Sequence, residues 1–404
     1  MLRPKKMNRL RKNISLLWAA QLTSGIGDAV YQVALMWLVL DLTGSPAITG
    51  LVAMSVYLPA LIFGLFAGVL SDRYNRQGLM ILANIGQAVT VMMIPLLLFR
   101  GSSNVIFIGL LAFLRSCFST LFPPAFNSFI PTIVPRDRLV QVNSILVTAG
   151  QLAYFMGPAL VGILLGLINL NYLFIIDGFS FLAAMGLLLL IIKPAERQRS
   201  RQYHKPWEEL KQGLKYIFSH ESLGFLFSLT FLNNLFIMGP AIVGVPILVK
   251  KTLEGTAANY AFIESGLGLG MLCGSMLLIK FGKNLPKGRI LALGMILDGL
   301  TYSVFYFAGS VQAVFMLMVI HGVGIPMITV PRTAIIQKYA QNKYHGRLFS
   351  MIHLAVVGMT ALSSAVVGIL GGILDIRVVF LVIGLLAAGC GLTAFFSVRI
   401  QKLI

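Results

Sequence analysis

Charged residues are scarce in this chain, and acidic residues are the scarcest of them. Only 11% of the 404 residues are charged, and 13 are Asp or Glu, whereas a soluble globular protein carries about 25% charged residues. Hydrophobic residues make up 57% of the chain, and the mean hydropathy is +0.87. So few charges cannot cover the surface of a soluble protein of this size. The sequence therefore predicts that most of the surface faces lipid.

Sequence signals of cofactor, metal and ATP chemistry are missing as well. The three cysteines, Cys117, Cys273 and Cys390, lie far apart within apolar runs and indicate neither a disulfide framework nor a metal cluster. No Walker A sequence occurs, which argues against ATP as the direct energy source. The five histidines do not form the His and acid cluster that a membrane-embedded acyltransferase needs. We therefore expect no cofactor, no metal and no enzymatic activity.

What the chain does contain is long apolar runs, twelve of which could cross a bilayer as helices. The runs are continuously apolar rather than alternating, which favours helices over the strands of a barrel. The predicted fold class is an all-α integral membrane protein with twelve transmembrane helices. The predicted spans are residues 15–41, 46–70, 78–99, 103–126, 140–166, 170–192, 222–249, 258–281, 287–308, 311–333, 348–372 and 375–397.

The basic residues are concentrated on one side of these spans. The net charge is +19, and 27 of the 32 Lys and Arg residues lie in the two termini and in every second loop. Such an excess is typical of cytoplasmic loops, so both termini are predicted to be cytoplasmic and the protein is expected in the cell membrane. No soluble segment is large enough to form a basic face, so we expect no nucleic-acid partner.

The longest polar stretch, residues 193–221, divides the chain into halves of six spans each, 1–192 and 222–404. Apolar residues at helical spacing predict an amphipathic helix within this linker: Trp207, Leu210, Leu214 and Ile217. The helix would lie on the inner leaflet with Lys211 and Lys215 toward lipid phosphates, or it would be a solvated linker.

The two halves repeat each other in sequence. Pro124 in the fourth span and Pro331 in the tenth are each followed nineteen residues later by a polar residue, Asn143 and Ser350, at the start of the next span. Two six-span halves with the same order form a parallel repeat about an axis along the membrane normal. This is the relation between the halves of major facilitator transporters.

The loop between the second and third spans carries the most specific motif. It reads Gly68-Val69-Leu70-Ser71-Asp72-Arg73-Tyr74-Asn75-Arg76 and resembles the G-x-x-x-D-R-x-x-R loop of the major facilitator superfamily, although that family often has Gly at the place of Asn75 and Lys at the place of Gln77. The resemblance implies a conformational latch made of Gly68, Asp72, Arg73 and Arg76. The glycine would admit a neighbouring helix, and the acid would bind charges and helix N-terminal amides.

A second motif lies in the fifth span, where Gly150 precedes Gly157, Pro158 and Gly162. It resembles the G-P-x-x-x-G element of the drug/proton antiporter branch, in which small residues permit tight helix packing and proline bends the helix. Residues 114–127, 209–225 and 344–352 resemble the macrolide-efflux type of the drug/proton antiporter-3 group. That group also includes exporters of siderophores and peptide antibiotics, and lysophospholipid transporters are similar to it.

Asp28 lies in the middle of the first span, where a charged side chain costs about 3 kcal/mol or more. Gln21, Gly25, Asp28 and Gln32 fall on one helical face, which predicts that this face lines a water-filled cavity. Asp28 is predicted to bind and release a proton, and its alternative role is that of a structural carboxylate in a permanent pair.

Arg115, near the middle of the fourth span, resembles the arginine of the antiporters' R-x-x-x-G motif, with Ser119 at the place of the glycine. An arginine keeps its proton, so its predicted role is to pair with Asp28 when the acid is ionised. Substrate binding by Arg115 is the alternative, and it is favoured if the substrate is anionic.

Further polar side chains lie within the spans. Asp298 and His321 are each near the middle of a span, and His321 lies in the helix that matches that of Arg115. They could contact substrate, carry a second proton or be structural hydrogen-bond partners, as could Asp177 and Glu264. The predicted substrate-cavity residues are Gln21, Gln32, Asn233, Asn234, Asp298 and His321.

The leading functional hypothesis is proton-coupled export of an amphipathic small molecule, such as a drug or a macrolide, by alternating access. The partners would be the substrate, protons and the lipid bilayer, and a monomer is expected. A lysophospholipid translocator, or an exporter of siderophores or peptide antibiotics, is the alternative on the same fold. A nontransporting receptor and a membrane-embedded acyltransferase are the hypotheses from other classes.

Overall fold

The computed structural model describes residues 4–101, 103–192, 206–282, 285–341 and 344–401, and the regular structure within these ranges is helical. The α-helices are α1 Pro4–Thr43, α2 Pro46–Arg73, α3 Arg76–Phe99, α4 Val105–Ile133, α5 Leu139–Leu164, α6 Leu170–Leu189, α7 Pro206–Phe218, α8 Glu221–Gly239, α9 Val245–Ile247, α10 Ala257–Phe281, α11 Lys287–Val304, α12 Val311–Tyr339, α13 His345–Ile373, α14 Ile376–Phe396 and α15 Val398–Gln401. Short 3-10 turns cover Arg136–Arg138 and Phe305–Phe307.

Twelve helical segments in the described ranges are long and apolar enough to cross a membrane. The seventh of them, Glu221–Thr252, combines α8 and α9 with two π-helical stretches, Pro240–Gly244 and Leu248–Thr252. The predicted number of spans and the all-α fold class are confirmed. Several helices continue past the apolar runs, and α4 extends through Pro131 to Ile133.

Side-chain caps explain why several of these helices begin where they do. Asn75, Asn104, Thr256 and Ser310 accept hydrogen bonds from backbone amides in the first turns of α3, α4, α10 and α12. The first-turn amides of a helix have no partner within the helix, so a side-chain acceptor just before it stabilises the start.

The chain forms two compact units, which are described separately. The first unit comprises Met1–Leu38 and Leu58–Tyr203, and the second comprises Val39–Tyr57 and His204–Ile404. Val39–Tyr57 falls in the second unit because its backbone packs closely there: a Cβ added at Gly50 would lie 2.8 Å from the Cα of Gly368. Residues 193–205 of the predicted linker lie outside the described residues.

Helix α7, Pro206–Phe218, lies in the second part of the predicted linker, and one of its faces packs within the second unit. Ile217 is buried in a cluster with Leu348 and Met351 of α13, and the Tyr216 hydroxyl accepts a hydrogen bond from the Gln341 amide at 3.1 Å. Ile217 therefore packs inward against α13, and the placement of the helix on the inner leaflet stays a prediction. Leu214, at 41% exposed, lies on the outer surface of the helix.

A seam of glycines joins α10 to α12. A Cβ added at Gly270 would lie 2.0 Å from the carbonyl oxygen of Val319, and one added at Gly274 would lie 2.6 Å from that of Val323. Only glycine permits such an approach of two backbones. The seam fixes the part of α12 that carries His321.

Candidate functional site

Arg115 in α4 binds two carboxylates from two other helices of the first unit. Its Nη2 atom donates to Asp28 Oδ1 of α1 at 2.6 Å and to Asp177 Oδ2 of α6 at 3.2 Å. The group of three is called the Arg115 triad below. The predicted pairing of Arg115 with Asp28 is present, and Asp177 is an additional partner.

The two acids of the triad differ in their access to solvent. The Asp177 side chain is completely buried, whereas 48% of the Asp28 side chain is exposed. Asp177 Oδ1 is buried and has no hydrogen-bond partner among the described residues. Asp28 is therefore the accessible acid of the triad, and Asp177 is the inner partner of the arginine.

Aromatic rings hold the guanidinium of Arg115 in place. Its Cζ atom lies 3.8 Å from the ring centroid of Tyr31 and 5.2 Å from that of Phe181. Tyr31 in turn makes an edge-on contact with Phe174. A cation over an aromatic face gains more when the pair is removed from water, so the rings favour the charged arginine at a depth where a charge is otherwise costly.

Small residues bring α1 and α5 together beside Asp28. A Cβ added at Gly157 would lie 2.3 Å from the Cβ of Ala29, and one added at Gly25 would lie 2.8 Å from that of Ala153. Gly157 thus makes the close approach expected of the antiporter-type motif, and Pro158 follows it inside α5. Of the other motif glycines, Gly150 lies near the amide of Gln21 and Gly162 is half-buried.

A second polar cluster is buried in the second unit. His321 Nε2 of α12 lies 3.1 Å from Asp298 Oδ1 of α11, and His321 Nδ1 lies 2.9 Å from the hydroxyl oxygen of Thr301. Asn233 of α8 donates to Asp298 Oδ2 at 3.5 Å. The ring of Tyr302 stacks on that of His321, with centroids 4.2 Å apart. The structure therefore brings Asn233, Asp298 and His321 together, and it buries all three.

The remaining predicted cavity residues, and the intramembrane acid Glu264, lie in different surroundings. Asn234 is half-buried and donates to the Thr230 carbonyl of its own helix at 2.7 Å. Gln32 is half-buried in α1. Gln21 lines a cavity of about 580 Å³ formed by α1, α4 and α5 within the first unit. Glu264 is half-buried in α10, where its Oε1 atom has no hydrogen-bond partner among the described residues.

The predicted latch occupies the end of α2 and the start of α3. Asp72 and Arg73 are exposed, and the Arg76 Nε donates to the Ser71 carbonyl at 3.4 Å. No described heavy atom lies within 4 Å of a Cβ added at Gly68. Within the first unit, no described helix makes the close approach expected at Gly68.

Local packing explains the two departures from the family loop. Asn75 accepts a hydrogen bond from the Gly78 amide at 3.3 Å and so caps α3. Gln77 is buried, and its amide donates to the carbonyl of Leu188 in the last turn of α6 and to that of Ile191 just after the helix. Asn75 thus stabilises the first turn of α3, and Gln77 binds the start of α3 to the end of α6.

The geometry above agrees with what the chain resembles in known proteins. A family model described as transmembrane secretion effector, within the major facilitator superfamily, matches residues 7–403. The chain belongs to this family. As a transmembrane secretion effector it is a multi-pass transporter of the cell membrane.

Several curated relatives of this secretion effector are named as efflux proteins. The chain is 24% identical over 354 residues to Macrolide efflux protein A of Streptococcus pyogenes, and the match covers 86% of each chain. It is 22% identical over 404 residues to Multidrug efflux pump Tap of Mycolicibacterium fortuitum, covering 98% of each. The resemblance to macrolide-efflux-type exporters is confirmed.

Solved structures of transporters share the fold of this secretion effector. The nucleoside transporter NupG superposes with a TM-score of 0.78 at 13% identity, covering 95% of this chain and 99% of NupG. A bacterial homologue of the human lysosomal transporter Spinster, solved inward-facing and unoccupied, gives a TM-score of 0.76 at 14% identity, covering 100% and 98%. At such identities the likeness shows the fold alone.

Sequence reasoning missed Tyr31 and Thr301 and did not pair Asp177 with Arg115. Tyr31 lies three residues after Asp28, and Thr301 lies three residues after Asp298. Residues at this spacing share a helix face. The residue three positions after each intramembrane aspartate was therefore a sequence signal for a further member of each polar cluster.

Proposed function

We propose that this transporter is a proton-coupled exporter of amphipathic small molecules and that the Arg115 triad carries the coupling proton. The observation that carries the proposal is the bonding of one arginine to two carboxylates, Asp28 and Asp177. With both acids ionised the triad has one negative charge in excess. One proton makes it neutral.

The charge balance supports a proton-binding role over a purely structural one. An excess charge within a membrane is costly, and an ion pair away from water is stable only when its charges are balanced and bonded. Since 48% of the Asp28 side chain is exposed, this acid can gain or lose the proton as access changes. Protonation would weaken its bond to Arg115 and leave Asp177 as the remaining charged partner.

The same bonding disfavours Arg115 as a receptor for an anionic substrate. Two acids already occupy its Nη2 atom, and its side chain is only 7% exposed. An anion would have to displace a carboxylate that is fixed in the chain. The triad instead leaves Asp28 as the exposed group, which favours neutral or cationic cargo.

Export of drugs is supported by the names of the relatives, which are a macrolide efflux protein and a multidrug efflux pump. A proton that enters through a potential of 100 mV supplies roughly 2.3 kcal/mol per charge, so one or two protons could drive substantial accumulation outside. The transporter acts by alternating access, in which the triad is protonated on one side and deprotonated on the other.

The proposal is tested in inverted membrane vesicles that contain an imposed pH gradient, acid inside. Erythromycin, a lipophilic cation, a siderophore and lysophosphatidylcholine are added in turn, and the gradient is followed with a pH-sensitive dye. Asp28→Asn is compared with Asp41→Asn, the same substitution on the same helix but outside the triad.

We expect a substrate to dissipate the gradient in wild-type and Asp41→Asn vesicles and to have no effect in Asp28→Asn vesicles. Substrate-dependent proton flux that persists in Asp28→Asn would show that the coupling group lies elsewhere. Lysophosphatidylcholine crossing without any proton movement would instead establish the lipid translocator.

A further inference from the structure

The cavity of about 580 Å³ between α1, α4 and α5 has a mixed lining with no charge on it. Three carboxamide side chains line it, Gln21 of α1, Asn127 of α4 and Asn143 of α5. Between them lie apolar surfaces that include the stacked rings of Phe122 and Phe126, whose centroids are 5.6 Å apart. Such a lining suits a molecule that is apolar over most of its surface and carries a few hydrogen-bonding groups.

Hydrogen-bonding groups of α1 and α4 beside the cavity are not fully used by the helices themselves. The Oε1 atom of Gln21 is buried and has no partner among the described residues. Pro131, which also lines the cavity, has no N–H, so the helical bond to the carbonyl of Asn127 is missing. Leaving a buried acceptor unpaired is costly. An occupant that brings hydroxyl groups would find carboxamide partners on three helices, at Gln21, Asn127 and Asn143.

Asp28 lies near the cavity on the same helix face. It follows Gln21 by seven residues, which is two turns, so both side chains lie on one face about 10 Å apart along the axis. The 48% exposure of Asp28 leaves a carboxylate surface for a cationic group. The uncharged cavity and the acid thus form two adjacent binding regions of different chemistry.

We propose that this cavity binds the uncharged, hydroxyl-bearing body of an amphipathic amine, while the ammonium group of the same molecule meets Asp28. The inference rests on the proposed function, because it takes the triad as the place where cargo and proton meet. It adds a second binding region, which selects substrates by the uncharged part of the molecule. This region is formed by Gln21, Asn127, Asn143, Phe122 and Phe126.

The test separates the two regions with two compounds. Erythromycin carries an amine on an apolar, hydroxylated ring, and erythronolide B is an uncharged ring of the same kind without the amine. The full-length purified protein contains three tryptophans, and the indole N–H of Trp18 donates to Thr148, next to the cavity residue Val147, at 3.3 Å. With Trp37→Phe and Trp207→Phe as background, Trp18 fluorescence reports binding at the cavity.

Two matched substitutions decide the role of the cavity. Val147→Phe places a ring in the cavity, and Val89→Phe adds the same volume on α3, away from it. The two valines are 56% and 54% exposed, so their settings are comparable. We expect Val147→Phe to raise the Kd of both compounds about tenfold or more and Val89→Phe to leave both unchanged. Asp28→Asn should raise the Kd of erythromycin only.

Equal Kd values for Val147→Phe and Val89→Phe, or no binding of erythronolide B to the wild type, would overturn the cavity proposal. Proton flux in the vesicle assay is read separately. Flux with erythromycin and no effect of Val147→Phe on binding would reject the cavity and keep proton-coupled export. Binding of both compounds that Val147→Phe weakens, without any proton flux, would keep the cavity and reject the coupling.

Discussion

Arg115 and His321 occupy the same position in two equivalent helices. Each lies ten residues after the first residue of a 29-residue helix, α4 for Arg115 and α12 for His321, and each is bonded to a buried aspartate. The acids come from helices that do not correspond, Asp177 from the sixth span and Asp298 from the ninth. The basic group therefore has the same position in both halves, whereas the aspartate bonded to it comes from a different span of each half.

Replacing Arg115 should destabilise the protein strongly. Arg115→Met leaves Asp177 buried without a cation, and breaking a buried pair in this way costs about 3–5 kcal/mol. We expect a clear fall in the thermal unfolding temperature of the detergent-solubilised protein. Adding Asp177→Asn to Arg115→Met removes the stranded charge and should recover part of the loss. No recovery in the double variant would contradict the pairing.

His321 should be replaceable by a side chain that keeps a donor. His321→Ala removes the group that lies 3.1 Å from Asp298 and the ring stacked on Tyr302. We expect a loss of about 3 kcal/mol, because a cavity replaces the ring and Asp298 keeps only its 3.5 Å hydrogen bond from Asn233. His321→Gln retains an N–H and should lose less. The unfolding temperatures of the two variants give the comparison, and equal losses would show that packing alone explains the effect.

The glycine seam between α10 and α12 predicts a large effect for a single methyl group. Gly270→Ala would place a carbon 2.0 Å from the Val319 carbonyl oxygen, and such overpacking typically costs about 1–3 kcal/mol. Gly389→Ala is the control, because no described atom lies within 4 Å of a Cβ added there, and alanine is the better helix former. A thermal melt should show a loss for the first variant and none for the second.

If Asp72 belongs to the latch, its replacement should reduce transport without reducing stability. Asp72→Asn should reduce substrate export about tenfold or more while binding and unfolding temperature stay unchanged, because Asp72 is exposed and its predicted role concerns only the balance of access states. Asp137 is also exposed and flanked by Arg136 and Arg138, so Asp137→Asn is a matched control that should transport normally. Equal export rates for the two variants would remove Asp72 from the latch.

Asp375, between α13 and α14, should give a pH-dependent contribution to stability. Hydrogen bonds from the side chain and the backbone amide of Arg377 lower the pKa of Asp375 below its usual range. A lowered pKa stabilises the fold above the unfolded-state pKa of about 3.9, and the effect is lost as the pH falls through the folded-state value.

Asp375→Ala should therefore cost about 1 kcal/mol at neutral pH and nothing in strong acid. Asn104→Ala removes a cap that does not titrate, so its cost should persist at every pH. Unfolding temperatures measured across the pH range compare the two. A constant deficit for Asp375→Ala would mean that ionisation of Asp375 contributes nothing.

The spans and the depth of the charged residues could be predicted because both are local properties of the sequence. Apolar length determines where a helix can cross a bilayer, and Asp28 and Arg115 are conspicuous because charges are costly there. Their mutual contact followed from chemical complementarity. The role of Asp177 did not, because no local pattern tells which side of α6 faces α4.

The unpredicted features are those that depend on packing between distant segments. Gln77 stands where the family motif often has Lys, and its side-chain hydrogen bonds fix the start of α3 to the end of α6. Gly68 looked like a packing site and has open space around it in this conformation. The cavity beside Gln21 arises from three helices at once, so the face pattern of α1 alone predicted a polar lining but neither its partners nor its volume.

The attachment of α7 to α13 bears on how the chain could be divided for fragment complementation. Gly213 lies against Met351 and Tyr216 holds the Gln341 amide, so a gene for the C-terminal fragment should start ahead of Pro206 and include the whole of α7. A fragment that starts at Glu221 would expose Leu348 and Met351, which the missing helix covers. Two co-expressed fragments should therefore assemble when the gene is divided before α7 and assemble poorly when it is divided after α7.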